Sequence, residues 1–236
     1  MRILEEMDLQ EITYQLLAEK NLIYFDSQKY VDWAVTLLGN GFESESLIIL
    51  AGLDSYPTEE KEKYFWESIR ELGIKIEKSD SELIDNYADF IARQVIEDRI
   101  NPIVGLQKML NVVRASDYSL KYAPFGFLDE DIDYLNYSQT TLFNTGLTLD
   151  NKEEFVKEEF RLFLEMNQLQ IDDSLREQSY CLNCNKFGKP ALKIKYQLKQ
   201  PYKYQVWVCS NCGSEKLEHS NNHKTKRRII EMIKKK

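Results

Sequence analysis

Residues 181–213 read CLNCNKFGKPALKIKYQLKQPYKYQVWVCSNCG. Two Cys-x-x-Cys pairs, Cys181 with Cys184 and Cys209 with Cys212, are separated by 24 residues. Two residues between cysteines let a tight turn aim both sulfurs at one ion, and Gly213 after the second pair suits the positive φ that such a knuckle needs. Between the pairs, residues 192–198 and 202–208 alternate apolar and polar, with Pro201 in the connection. That period predicts a β-hairpin, which brings the two knuckles together. Four thiolates around one ion leave no open coordination position, so the metal expected is one structural Zn2+. The alternatives are two disulfides or a redox pair. The chain has four cysteines and none is left over, and no βαβ pattern surrounds either pair, which favours the metal.

Two Cys-x-x-Cys pairs with a hairpin between them resemble the zinc-ribbon family, over residues 181–213. A domain so small has little core of its own, and metal binding would supply most of its folding energy. The two histidines, His219 and His223, are spaced four apart and could bind metal on one helical face, but the span from Cys212 is too short for a Cys2His2 finger. A solvated tail is the expectation for them. Ile229, Ile230 and Ile233 add a short apolar stripe among the lysines and arginines of residues 225–236, which predicts a short basic terminal helix.

Upstream, to about Leu169, apolar residues recur at helical spacing. Ser27 is placed to cap a helix whose Tyr30, Val31, Ala34, Leu37 and Leu38 share a face, ended by left-handed Gly39 and Gly41. Thr58 opens a helix with Tyr64, Phe65, Ile69 and Leu72 inward and Gly73 at its end. Ser79 with Glu82, and Asp150 with Glu153, have capping-box spacing, and Asn101-Pro102 is a cap followed by proline at the first helical position. Residues 118–146 are broken by Pro124, Gly126 and Gly146 and are expected to hold short helices and loop. The fold class is therefore mainly α: an N-terminal antiparallel helical bundle or array over residues 1–172, and a small β zinc ribbon with a basic terminal helix over 173–236.

Ala34-x-x-Leu37-Leu38-Gly39-x-Gly41, Ser46-Leu47-x-x-Leu50-Ala51-Gly52-Leu53, Glu71-Leu72-Gly73 and Ile100-Asn101-Pro102-x-x-Gly105 together resemble a pattern in small helical bacterial proteins of unknown function. That resemblance implies a bacterial, cytosolic, adaptor-like helical domain and assigns no activity.

The composition, 43% hydrophobic and 30% charged, is that of a globular chain. No run approaches the roughly 18 apolar residues of a spanning helix, and the opening Met1-Arg2-Ile3-Leu4-Glu5-Glu6 turns acidic at once, so no membrane contact and a cytoplasmic location are expected. The net charge of -8 hides an asymmetry: residues 178–236 hold 14 basic and 3 acidic side chains, leaving a surplus of 19 negative charges on the rest. Glu-x-x-His pairs, phosphate-cradling glycine loops and Gly-x-Gly-x-x-Gly are absent from the helical part. In residues 129–133 the acids begin like a calcium loop, but Tyr134 and Thr140 replace the required glycine and glutamate, so a solvated acidic turn is expected.

These features point to a non-enzymatic protein that binds a protein partner, with an immunity or accessory protein of a bacterial toxin or defence system as one version, because acidic surfaces speed association with cationic partners. The alternative is a nucleic-acid-binding accessory protein. It would use Lys193, Lys195, Lys203, Trp207, Lys226, Arg227 and Arg228, lysines and arginines for phosphate and aromatic rings for stacking.

Overall fold

The computed structural model describes residues 9–22 and 24–235; the acidic opening run and Lys236, at the end of the basic tail, lie outside the described residues. Ten helices occur among the described residues, with a small C-terminal antiparallel β region and a terminal helix, so the fold is mainly α. The chain forms two compact units, Met1–Phe90 with Arg114–Ser116, and Ile91–Val113 with Asp117–Lys236.

The first unit holds α1 (Leu9–Lys20), α2 (Gln28–Gly39), α3 (Glu45–Ala51), α4 (Thr58–Glu71) and the opening turns of α5 (Asp80–Ile96). Phe65 centres its core, with the rings of Tyr30 at 4.8 Å, Trp33 at 4.9 Å and Trp66 at 5.2 Å. Tyr30, Val31, Ala34 and Leu37 form the buried face of α2, as their spacing predicts. Two expected helix ends are different. Ser27 has helical backbone angles and caps nothing; the neighbouring Asp26 carboxylate accepts from the Gln28 N–H at 2.9 Å instead. Gly39 is simply the last helical residue, and Gly41, at φ 85°, is the left-handed one. The periodicity did not mark α3, which is seven residues long; Ser44 caps it and Glu71 accepts from both the N–H (3.0 Å) and hydroxyl (2.6 Å) of Ser46. At the start of α5 the capping box forms as read: Glu82 accepts from the Ser79 N–H at 2.9 Å, and Ser79 Oγ from the Glu82 N–H at 3.4 Å.

The second unit is built on the end of α5, α6 (Pro102–Ala115), α7 (Ala123–Leu135) and α8 (Lys152–Gln168), followed by a single turn, α9 (Asp173–Arg176). Asn101 caps α6 by accepting from Ile103 N–H at 2.8 Å, which leaves Pro102 at the first position where it sacrifices no hydrogen bond. Helices α5, α6 and α8 meet at Gly105: a Cβ there would lie 2.2 Å from Val95 Cγ2 and 3.4 Å from the Phe160 ring. Phe125 packs tilted against Phe160 at 4.7 Å and edge-on against Phe163 at 5.5 Å.

The broken stretch 118–146 contains α7, with Pro124 in its first turn rather than interrupting it. The acids expected in a solvated turn are helical, and Asp131 is fully buried. Its carboxylate accepts from the N–H groups of Leu142 (2.6 Å), Phe143 (3.1 Å) and Asn144 (2.7 Å) and from the Asn144 side chain (2.9 Å), so the loop after α7 wraps around one anion. The second expected capping box does not form: α8 starts after Asn151, whose side chain is engaged with the Thr148 N–H and the Gly146 carbonyl, and Asp150 is not the cap.

The β region pairs β1 (Ser179–Cys181) with β2 (Phe187–Gly188) and β5 (Leu217–His219), in the order β2-β1-β5. Separately, β3 (Ala191–Tyr196) and β4 (Lys203–Val208) form the predicted hairpin, in a register running from Ala191 opposite Val208 to Tyr196 opposite Lys203. The chain closes in α10 (His223–Lys234), capped by Asn222. Ile229 and Ile230 are buried with Leu162, Met166 and Ile171, and Ile233 packs against them. The three isoleucines therefore dock α10 on α8 in this unit.

Candidate metal centre

Each cysteine pair sits on a turn of the same construction. The Asn185 N–H donates to the Cys181 carbonyl at 2.9 Å and the Gly213 N–H to the Cys209 carbonyl at 2.8 Å. The Cys181 N–H then reaches the Lys186 carbonyl (3.0 Å), and the Cys209 N–H that of Ser214 (2.8 Å). Closing such turns requires positive φ after the second cysteine, and both positions have it, 56° at Asn185 and 73° at Gly213. The sequence reading caught the glycine alone; the asparagine, the next residue type to tolerate that region, was the matching signal on the other side.

The Sγ atoms of Cys181 and Cys212 are 3.6 Å apart, as are those of Cys184 and Cys209, and all four lie within 4.8 Å of one another. Thiolates at about 2.3 Å around a tetrahedral ion would stand about 3.8 Å apart, so the cluster has the size that one ion requires. Backbone N–H groups point into it. Those of Cys212 and Asn211 hold the Cys209 thiol below its usual range, and that of Ser214 does the same for Cys212. Burial and then the neighbouring sulfur of Cys209 push Cys184 up to about 12. Four sulfurs crowded together cannot all carry charge without a cation between them. The Asn183 amide adds a hydrogen bond to the Cys212 sulfur at 3.6 Å. Four cysteines so clustered in a small C-terminal β region are compatible with a zinc-ribbon-like site and could hold one metal ion.

No protein-family model, no curated protein and no solved structure matches this chain.

The remaining residues singled out from the sequence fall into two groups. Lys193, Lys203 and Trp207 are exposed on the hairpin, and Lys195 pairs with Glu215. Those of α10 are engaged: Lys226 is buried against Glu159, Arg227 meets Glu158 at 2.7 Å, and Arg228 pairs with Glu218 and lies 4.3 Å from the Tyr180 ring. The solvated-tail expectation is corrected for His223, whose ring stacks on Phe155 at 4.1 Å and shares a 3.1 Å hydrogen bond with Glu159. His219 Nδ1 lies 3.3 Å from the Ser179 hydroxyl. Glu159 was missed because four glutamates in residues 153–159 read as a solvated face.

Proposed function

We propose that this chain is a non-enzymatic binding protein whose four cysteines hold one structural Zn2+ and whose hairpin grips a protein partner. The zinc reading is supported by the four-sulfur donor set of tetrahedral size with no vacant direction for substrate.

One observation carries the binding reading. In the register of β3 with β4, Leu192 faces Trp207, Ile194 faces Gln205 and Tyr196 faces Lys203, so strand alternation puts all six on one face. Leu192, Ile194, Tyr196 and Trp207 are each between 44% and 76% exposed, and Leu198 and Tyr202 extend the apolar surface past the strand ends. An apolar face left open on a two-stranded sheet is costly to maintain in water and is what a partner would cover. Six lysines and no acidic residue lie between Cys181 and Ser214, which selects a partner with an acidic rim around an apolar centre. The acidic remainder of the chain would supply the long-range attraction behind the immunity-protein version, acting on a cationic surface of the same or a second partner.

The nucleic-acid reading draws on the same exposed Tyr196, Tyr202, Trp207 and Lys203, but Lys226, Arg227 and Arg228 are committed to carboxylates of the chain itself. The test is affinity capture with a photo-crosslinker next to Trp207, followed by titration of the recovered partner against the wild type and Trp207→Ala with Leu192→Ser. A protein whose affinity falls by at least about tenfold in that variant is expected, because buried aromatic anchors dominate interfaces. Unchanged partner binding would refute the hairpin surface. Tight, salt-sensitive binding of a single-stranded oligonucleotide would establish the rival.

A further inference from the structure

A cavity of about 760 Å³, within the size range of small-molecule pockets, opens in the second unit. The apolar part of its lining includes Leu120, Phe127, Phe143 and Phe155. Phe127 of α7 stands stacked at 4.7 Å on Phe143, which lies on the loop that the buried Asp131 holds in place. The polar part of the lining includes Arg176, both histidines of the chain, with His223 lying against Phe155, and Lys224 in the first turn of α10.

Arg176 is the unusual member. Its side chain is 9% exposed, and its buried Nε makes no well-formed hydrogen bond among the described residues, its ion-pair contact being the Asp173 carboxylate 3.3 Å from that same atom. Burial presses its pKa down, opposed by Asp173, Glu159 and Tyr122. The Nε therefore gives up hydration for an ion pair of poor hydrogen-bond geometry, which leaves the guanidinium short of hydrogen bonds for so buried a group. The other acids nearby are already spent: Glu159 on Lys226 and His223, Glu177 on Lys189 and Glu218 on Arg228. Lys224 has no carboxylate in ion-pair range among the described residues, and the partial positive charge of the α10 N-terminus adds to it.

We propose that this cavity binds a small organic anion, its carboxylate or phosphate seated on Arg176 and the first turn of α10 and its flat apolar body laid against Phe127, Phe143 and Phe155. A planar guanidinium meets either anion through two parallel hydrogen bonds, so the shared chemistry is a planar or tetrahedral oxyanion on an aromatic group.

The experiment is calorimetric titration and thermal melting of the full chain with three probes: adenosine monophosphate, benzoate and inorganic phosphate. One of the two aromatic anions should bind one-to-one and raise the melting temperature, which one distinguishing phosphate from carboxylate, and inorganic phosphate should bind about tenfold or more weakly because it leaves the apolar wall bare. Arg176→Met should abolish binding of all three probes. Lys224→Ala and Phe143→Ala, at exposed positions, decide the matter if that variant does not fold. The first should weaken all three probes and the second the aromatic anions alone. Absence of heat and of any melting shift with every probe at millimolar concentration, or binding that survives both surface variants, would overturn the proposal.

Discussion

Replacing Lys226 by methionine would isolate the energetics of the most buried ion pair among the described residues. Glu159 is 2% exposed and Lys226 3% exposed, and each is the other's ion-pair partner, with His223 as the second group on the carboxylate. The two sides of the pair respond differently. Burial opposes the charge of Glu159, but Lys226 and His223 more than offset it and the carboxyl is held below the usual range; on Lys226 burial wins over Glu159 and the ammonium is pulled down. The lysine is thus there for the glutamate. Removing one partner of a buried pair strands the other, at about 3 to 5 kcal/mol, whereas replacing both by groups of similar volume is close to neutral. Lys226→Met should accordingly lower the urea midpoint by about 2 M, taking a slope near 2 kcal/mol per molar, while Glu159→Leu with Lys226→Met should recover most of it. In the single variant the stranded carboxyl has its pKa raised above the unfolded value. Its contribution is then fully present below the ordinary carboxylate range and lost as pH rises, so the deficit should shrink toward pH 4. In the wild type the depressed Glu159 gives the opposite sign, its stabilisation being lost as pH falls through the carboxylate range. Denaturation followed by amide exchange in α8 and α10 reads the result. A Lys226→Met deficit under about 1 kcal/mol, or a double variant no better than the single, would refute this account.

Elemental analysis of protein purified without chelator should find about one zinc per chain, and none after Cys184→Ser with Cys212→Ser; iron, or fully titratable thiols without metal, would remove the zinc assignment. Strong chelation should abolish exchange protection in β1 to β5 and leave α10 protected on α8, whose contacts through Ile229 and Ile230 do not involve the sulfurs; coincident loss of both would contradict this. Gly105→Ala should cost about 1 to 3 kcal/mol in thermal or urea unfolding, because the added methyl meets Val95 at 2.2 Å inside a packed core, and a neutral result would mean α6 can shift freely. Asp131→Asn places an amide donor among backbone donors, so it should destabilise by about 1.5 to 3 kcal/mol and open residues 136–146 to proteolysis.

What could be read from the sequence was local. The four cysteines that could hold a metal ion are residues of one type at ligand spacing, and the Ser79–Glu82 box spans a single turn, so both show in short stretches of sequence. Where two adjacent residues compete for a role the reading failed: Asp26 displaced Ser27, and Asn151, tied to Thr148, displaced Asp150. The short α3 offers too few turns for a period to show. Asp131 and Glu159 look like any acid on a charged helix, and their burial is imposed by partners 11 to 13 and 64 to 67 residues further along. The cavity likewise draws Phe143, Arg176 and His219 from segments with no sequence relation to one another.

The seating of α10 on α8 also alters what the metal has to accomplish. Because Ile171 and Ile230 belong to one buried cluster, the intervening segment is a loop of about 60 residues whose ends are joined by packing that involves no ion. Treated as a cross-link, such closure removes on the order of 4 kcal/mol of chain entropy from the metal-free ribbon. An excised ribbon peptide would have to recover that amount from coordination, a factor of about a thousand in metal affinity. The whole chain would therefore hold an ion at free-metal concentrations at which the isolated ribbon would be empty and unfolded.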